Sequence, residues 1–266
     1  LQLTTEGAGY SVQLNVPNGT LVNASTGTIA SLAGAGGARV LAIDGIDLVN
    51  TNVSAEIDRL NDALAPFAIG QSHSFTVQDP GGGPQRTVSM TSANVTSTPV
   101  QNVRTIATAS GPVGYLLFND HIATSEAGLV NAITTLRDAG IVDLVLDVRY
   151  NGGGFLDIAS ELAYMIAGNA RTSGRSFELL QFNDQHTTRD PVTGETLAPL
   201  PFHPAAEGFS VTAGTPLPAL NLGRVYVITG SGTCSASESI INSLRGIDVE
   251  VVQIGSTTCG KPYGFY

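Results

Sequence analysis

The second half of the chain alternates short apolar runs with helical patterns, and this alternation limits the folds that it can adopt. Apolar runs of this length, bounded by turn residues, are typical of buried strands. Strands that alternate with helices predict βαβ units and a largely parallel sheet, and therefore a mixed α/β fold. The predicted order is strand 113–118, helix 125–139, strand 141–148, helix 155–166, strand 225–228, helix 236–244 and strand 249–254.

The first 95 residues have a different pattern, which predicts a smaller β-rich domain. Residues 10–16 alternate with a period of two, and residues 54–64 have a helical period. Two alternating runs, 74–78 and 86–90, flank a segment rich in glycine and proline, which predicts a hairpin. The predicted boundaries are a domain over 1–95, an extended linker over 96–110 with no strong period, and a second domain over 111–266.

Composition excludes several classes of partner. The net charge is −10 and only 13% of residues are charged, so no basic patch is available for nucleic acid. The chain contains no run of 18 apolar residues, so no membrane span is predicted. The chain begins without Met or a signal-peptide pattern, and we expect it to be a piece of a longer gene product.

Ser235 stands between the predicted strand 225–228 and the predicted helix 236–244. Main-chain N–H groups are unpaired at a helix N-terminus and favour negative charge, which suits a nucleophile whose reaction creates an oxyanion. Ser231, Ser237 and Ser239 lie nearby, but Ser235 directly precedes the helix. We therefore predict Ser235 as a nucleophile.

Lys261 is the only lysine in the chain, and the other basic residues are arginines, which keep their proton in proteins. A desolvated lysine can instead act as a general base, so we predict that Ser235 and Lys261 form a pair within about 3 Å. His121, which follows the strand 113–118, leaves a Ser–His pair open as an alternative. A solvated lysine with no catalytic role is the simpler alternative for Lys261.

Three glycines follow the strand 141–148, in the run Asn151-Gly152-Gly153-Gly154. This spacing matches neither a dinucleotide fingerprint nor a P-loop, so no nucleotide cofactor is expected. Glycines here would let main-chain N–H groups approach a bound group, as in an oxyanion hole completed by Ala236. A tight turn that needs glycine only for packing is the alternative.

Cys234 and Cys259 each stand close to one member of the predicted pair. They could form a disulfide, remain thiols, or pair with cysteines outside this chain. A bridge would imply an oxidising compartment. Two cysteines without paired histidines do not make a zinc site, so no metal is expected.

Together, these motifs resemble the C-terminal processing (tail-specific) serine peptidase family. The similar segments are Ser235-Ala236-Ser237-Glu238 followed by Gly260-Lys261, the run from Asp147 to Gly154, which is similar to D-x-R-x-N-x-G-G, and a PDZ-like start with Val40-Leu41-Ala42-Ile43-Asp44-Gly45. The cysteines are not part of the family's general motif, and the family's later strands are absent from this chain.

The resemblance implies a PDZ-like domain followed by a crotonase/ClpP-like ββα-repeat protease core. It implies Ser235 as nucleophile, Lys261 as general base, and Ala236 and Gly153 as oxyanion donors. It also implies a carboxylate-binding loop at Gly7, Ala8, Gly9 and Tyr10, with Asp248 or Glu250 as candidates for a third polar residue.

The implied function is hydrolysis of unfolded or C-terminally presented polypeptides, without a cofactor, in the periplasm, cell envelope or extracellular space. A non-catalytic binding relative and a crotonase-like acyl-CoA enzyme remain as alternatives.

Overall fold

The structure, a computed structural model, describes residues 2–6, 9–13, 20–23, 28–31, 39–78, 82–94 and 96–261. The chain divides into two compact units, Leu1–Ser97 and Thr98–Tyr266.

Among its described residues, the first unit has an antiparallel sheet and the helix α1. Its elements are β1 (Gln2–Glu6), β2 (Gly9–Gln13), β3 (Thr20–Asn23), β4 (Thr28–Ser31), β5 (Arg39–Ile43), β6 (Ile46–Asp47), α1 (Ser54–Leu64), β7 (Ser72–Gln78) and β8 (Gln85–Thr91). The sheet order is β1-β2-β5-β7-β8, with β6 paired to β5, and β3 pairs with β4 separately. The predicted hairpin is confirmed, because β7 and β8 pair antiparallel over their full lengths.

α1 contributes Leu60 and Ala63 to the small core of the first unit, which includes Val40, Ile43 and Phe75. Of the predicted carboxylate-binding loop, Gly7 and Ala8 lie outside the described residues. Gly9 and Tyr10 begin β2, opposite Glu6 and Thr5 of β1. The PDZ-like identity of this unit therefore stays a prediction.

The second unit is a five-stranded sheet with three main helices, which confirms the predicted mixed α/β fold. Its elements are β9 (Val100–Thr108), β10 (Gly111–Phe118), α2 (Ser125–Asp138), β11 (Asp143–Asp147), α3 (Leu156–Ala167), α4 (Asn169–Thr172), β12 (Ser176–Glu178), β13 (Leu200–Pro201), β14 (Arg224–Thr229), α5 (Ala236–Gly246) and β15 (Glu250–Gly255). The order is β15-β14-β11-β10-β9, and the first four strands are parallel.

The prediction of an extended linker over residues 96–110 is wrong for most of that segment. Residues 100–108 form β9, which pairs antiparallel with β10 at the edge of the sheet. Side chains in the second half of β9 are exposed, so the strand lacks the apolar alternation that would have identified it.

α3 is enclosed by the second unit and carries an ionisable residue into its core. Every residue from Ile158 to Ala167 is buried, including Glu161. Glu161 lies near Glu126, a buried residue in the first turn of α2. Glu126 accepts hydrogen bonds from the N–H groups of Gly208, Ser210 and Val211, and Glu161 Oε1 accepts from the N–H of Glu207 at 2.8 Å. Two facing carboxyl groups therefore hold the segment 207–211.

Burial, together with Glu126 and Glu207, raises the pKa of Glu161 to about 8. Burial would also raise the pKa of Glu126, but the three main-chain N–H groups hold it below its usual value. Glu161 therefore keeps its proton near neutral pH while Glu126 is ionised. Glu161 Oε2 is buried and has no hydrogen-bond partner in the structure.

Glu161→Gln is expected to stabilise the second unit at alkaline pH. The folded chain keeps this proton to higher pH than the unfolded chain, so wild-type stability falls as pH rises from about 4.5 to about 8. Glutamine keeps an acceptor for the N–H of Glu207 but cannot ionise. Thermal unfolding should show equal midpoints at pH 5 and a midpoint roughly 3–8 °C higher for the variant at pH 9.

Glu126→Gln is the matched control for that measurement. It leaves the N–H groups of Gly208, Ser210 and Val211 with one acceptor oxygen fewer, so it should destabilise at both pH values. A Glu161→Gln midpoint shift that is the same at pH 5 and pH 9 would contradict the raised pKa of Glu161.

Candidate active site

The candidate site forms where the carboxyl ends of three neighbouring parallel strands meet. β11 leads into the glycine loop (residues 151–154), β14 leads into the turn before α5, and β15 leads into residues 256–261. The sheet order β15-β14-β11 places the turn of Ser235 between the other two segments. The carboxyl edge of a parallel sheet is the usual place for a site in an open α/β fold.

Ser235 has a main-chain conformation that is unfavourable for a residue with a side chain. It directly precedes α5 with φ 56° and ψ −121°. Such a conformation costs about 1–3 kcal/mol and persists only where surrounding contacts impose it. Those contacts include hydrogen bonds from Cys234 N–H to Asn151 O at 3.1 Å and from Thr233 Oγ1 to Val148 O at 2.7 Å.

The neighbouring serines of α5 are committed to other contacts. Ser237 is buried and its hydroxyl donates to the carbonyl of Asn151 at 3.0 Å. The hydroxyl of Ser239 donates to Glu178 Oε2 at 2.9 Å. Ser235 stands at the turn itself, directly before the first residue of α5, and this position favours it over these two as a nucleophile.

Gly153 lies directly against the turn of Ser235. A Cβ at Gly153 would lie 2.7 Å from Ser235 Cβ and 2.9 Å from both Ala236 N and Cys234 O, and its φ is +101°. Only glycine fits this approach. The N–H of Gly153 donates to Asn151 Oδ1 at 3.0 Å. Ala236 is the first residue of α5, where helix geometry provides no partner for the main-chain N–H.

Glu238 connects the turn of Ser235 with the segment of Lys261. Its Oε2 accepts hydrogen bonds from the N–H of Ser235 at 2.9 Å and of Lys261 at 3.0 Å. Its Oε1 accepts from Thr258 Oγ1 at 2.7 Å and from the N–H of Gly260 at 2.8 Å. Burial would raise the pKa of Glu238, but these donors hold it below its usual value, so the carboxylate is ionised. The side chain of Lys261 is exposed, whereas a lysine base was expected to be desolvated.

Cys234 and Cys259 form a disulfide with a Cα–Cα distance of 5.2 Å. The bridge selects one of the three arrangements that the sequence left open. It joins the residue before Ser235 to the Lys261 segment, parallel to the hydrogen bonds of Glu238. Glu238 lies close to both sulfur atoms. Cysteines joined in a disulfide have no thiolate, which is the form that binds metal, so these two are not available as ligands.

His121, the alternative base, is buried, and its side-chain hydrogen bond is made to Asn151. Its Nδ1 bonds Asn151 Oδ1 at 2.9 Å, and its Nε2 has no hydrogen-bond partner. The structure therefore contains no hydrogen bond from the hydroxyl of Ser235 to this imidazole.

Asp147 and Arg149 anchor the start of the glycine loop. Asp147 is buried and receives a forked hydrogen bond from Arg149, together with one from Tyr115 Oη at 2.8 Å. Burial would raise the pKa of Asp147, but these donors hold it below its usual value. The resulting ion pair fixes the chain where β11 ends.

Asp248 and Glu250 do not reach the site. They precede or begin β15, while residues 256–261 follow its end, a separation of roughly 20 Å along the strand. The acidic residue at the site is Glu238, which sequence reasoning missed. Its spacing of three from Ser235 is the pattern of a capping box and could have identified it.

Comparison with known proteins gives consistent results. The model of peptidase family S41 matches residues 112–264, more than half of the chain. A carboxyl-terminal-processing protease of Picosynechococcus sp. is 29% identical over 268 residues, which cover 98% of this chain and 56% of that protein. A chloroplastic C-terminal processing peptidase of Tetradesmus obliquus is 28% identical over 185 residues, which cover 66% of this chain and 34% of that protein.

Among solved structures, a putative S41 protease from Bacteroides fragilis shares the fold, with a TM-score of 0.59 and 22% identity. The match covers 96% of this chain and 64% of that one. This chain thus spans about half or less of the length of the curated relatives it matches. With the fold and the family match in agreement, the chain belongs to peptidase family S41.

Proposed function

We propose that this protein is a serine endopeptidase that uses Ser235 as nucleophile and Lys261 as general base. The observation that carries the proposal is the strained turn of Ser235, packed against Gly153 at the carboxyl edge of the sheet. Its matched family consists of peptidases. Strained backbone at a serine in a strand-to-helix turn is one way in which proteins present a nucleophilic hydroxyl to substrate.

In the proposed reaction, Ser235 Oγ attacks the carbonyl carbon of the scissile peptide bond while its proton passes to the amine of Lys261. The N–H groups of Ala236 and Gly153 stabilise the resulting oxyanion. For Gly153 this means that its hydrogen bond to Asn151 is exchanged for one to substrate. The lysine then protonates the leaving amine, and a water molecule releases the acyl group from the serine.

The proposed substrates are unfolded or C-terminally presented polypeptides. Two relatives are described as C-terminal processing enzymes, which supports this substrate class. A PDZ-like first unit that binds the substrate carboxylate at Gly7, Ala8, Gly9 and Tyr10 is part of the proposal. The disulfide supports an oxidising location such as the periplasm, cell envelope or extracellular space. The described helices include none long and apolar enough to cross a bilayer.

The proposal predicts that a fluorophosphonate probe forms a covalent adduct on Ser235 of the full-length protein. Mass spectrometry of the labelled peptide identifies the modified residue, and heat-unfolded protein is the control. An unstructured polypeptide with a free C-terminus should be cleaved, and prior labelling should prevent its cleavage. Absence of an adduct on the folded, full-length protein would favour a non-catalytic binding relative.

A further inference from the structure

Asn151 attaches the glycine loop to two neighbouring segments, the end of β10 and the turn of Ser235. Its side-chain Nδ2 donates to the carbonyl of Phe118 at 3.1 Å, at the end of β10. Its carbonyl accepts from the N–H of Cys234 and the hydroxyl of Ser237, on the two sides of Ser235. The orientation of Asn151 therefore controls how the loop lies against the turn of Ser235.

Main-chain groups fix which way the amide of Asn151 points. Its Oδ1 accepts from the N–H of Gly153 at 3.0 Å, and its Nδ2 faces the carbonyl of Phe118. Neither partner can exchange donor for acceptor, so the amide cannot be flipped. The contact of 2.9 Å between Oδ1 and His121 Nδ1 therefore requires the proton on Nδ1. His121 is the neutral Nδ1–H tautomer and a hydrogen-bond donor to Asn151.

The main chain of His121 runs directly beside the same loop. The N–H of His121 donates to the carbonyl of Gly153 at 3.2 Å, and the N–H of Phe155 donates to the carbonyl of His121 at 2.9 Å. A Cβ at Gly154 would lie 2.5 Å from the oxygen of His121, and the φ of Gly154 is +134°. His121 thus contacts the loop through both its backbone and its side chain.

The other ring nitrogen of His121 makes no hydrogen bond in the structure. Nε2 is buried without a partner, and the ring packs on Phe118 with a centroid distance of 4.4 Å. Burial lowers the pKa of His121 to about 4, so the imidazole is uncharged at neutral pH. Apart from its packing contacts, the side chain offers the site one donor, Nδ1–H, and that donor is directed at Asn151.

We propose that His121 is a positioning residue for the serine peptidase reaction. Its Nδ1–H holds the amide of Asn151, and through it the glycine loop, in register with Ser235. The inference rests on the proposed function for its catalytic consequence. It assigns a role to His121 that differs from that of the base in a Ser–His pair.

Two substitutions at position 121 separate the donor from the ring. His121→Leu keeps an apolar side chain of similar volume but has no donor. His121→Asn loses the ring, but its Nδ2 sits the same number of bonds from the backbone as Nδ1 and can donate to Asn151. If the hydrogen bond is what matters, kcat should fall about 10–100-fold in the Leu variant and be largely kept in the Asn variant, with KM nearly unchanged in both.

The pH profile of the full-length protein distinguishes this role from base catalysis. For a positioning residue that stays neutral, the ratio of wild-type to His121→Leu rates is constant from pH 6 to 9. A base would instead give a ratio that changes with pH and an Asn variant as inactive as the Leu variant. Either of those results would overturn the proposal, as would full activity in the Leu variant.

Hydrogen exchange provides a readout that does not depend on peptidase activity. The amide of Gly153 should exchange about tenfold faster in His121→Leu and at nearly the wild-type rate in His121→Asn. Faster exchange in the Asn variant than in the Leu variant would show that ring packing, and not the donor, holds the loop. If the wild-type protein proves inactive, the proposed function fails, and exchange still decides whether His121 fixes the loop.

Discussion

Gly153→Ala is expected to lower kcat/KM by ~10³-fold or more, the scale of losing an oxyanion donor. The new Cβ would lie 2.7 Å from Ser235 Cβ and 2.9 Å from Ala236 N, too close for real atoms. One of the two must move, and both belong to the proposed chemistry. The φ of +101° adds strain whatever the available space. Steady-state cleavage of a fluorogenic peptide and the rate of fluorophosphonate labelling measure the effect.

Gly152→Ala is the matched control, because it adds the same methyl group to the neighbouring residue of the same loop. A Cβ at Gly152 has no atom within 4 Å, and its φ is not in the left-handed region. Activity within about threefold of wild type is therefore expected, since surface substitutions away from special backbone positions usually have small effects. Equal loss in the two variants would mean that general stiffening of the loop, and not contact with Ser235, limits activity.

Most of the fold of the second unit can be predicted from local sequence patterns. Apolar periodicity predicts the elements β10, α2, β11, α3, β14, α5 and β15 of the second unit, and the structure has each of them within a few residues, including the turn at Ser235. β9 was missed because an edge strand with one exposed half has no clear alternation. Periodicity reports burial on one face, and it fails where burial is partial.

The contacts of the site could not be predicted in the same way. His121 and Asn151 are 30 residues apart, and Glu238 bonds residues 258–261, so these contacts exist only after the parallel strands assemble. The pairing of the two cysteines was open for the same reason. Their positions after strands identify Ser235 and the glycine loop as candidates, and the family resemblance implies Gly153 within that loop, but neither reveals what holds them in place.

Glu238→Gln is expected to lower kcat/KM about 100-fold and to loosen the segment of Lys261. The carboxylate accepts four hydrogen bonds, two on each oxygen, from Ser235, Thr258, Gly260 and Lys261. Glutamine keeps one oxygen and directs an NH₂ group at two donors, and each unpaired donor costs about 1–3 kcal/mol. The disulfide still joins Cys234 to Cys259, so the segment should remain attached but lose its register with Ser235.

Glu250→Gln is the control for removal of one negative charge, because Glu250 is exposed and lies at the opposite end of β15. It should keep activity and stability near wild type. Hydrogen exchange at residues 258–261, measured beside peptide cleavage, should accelerate only in Glu238→Gln. Unchanged exchange together with lost activity would assign Glu238 to the chemistry itself, whereas unchanged exchange and activity would show that the disulfide alone is enough to hold residues 258–261 in place.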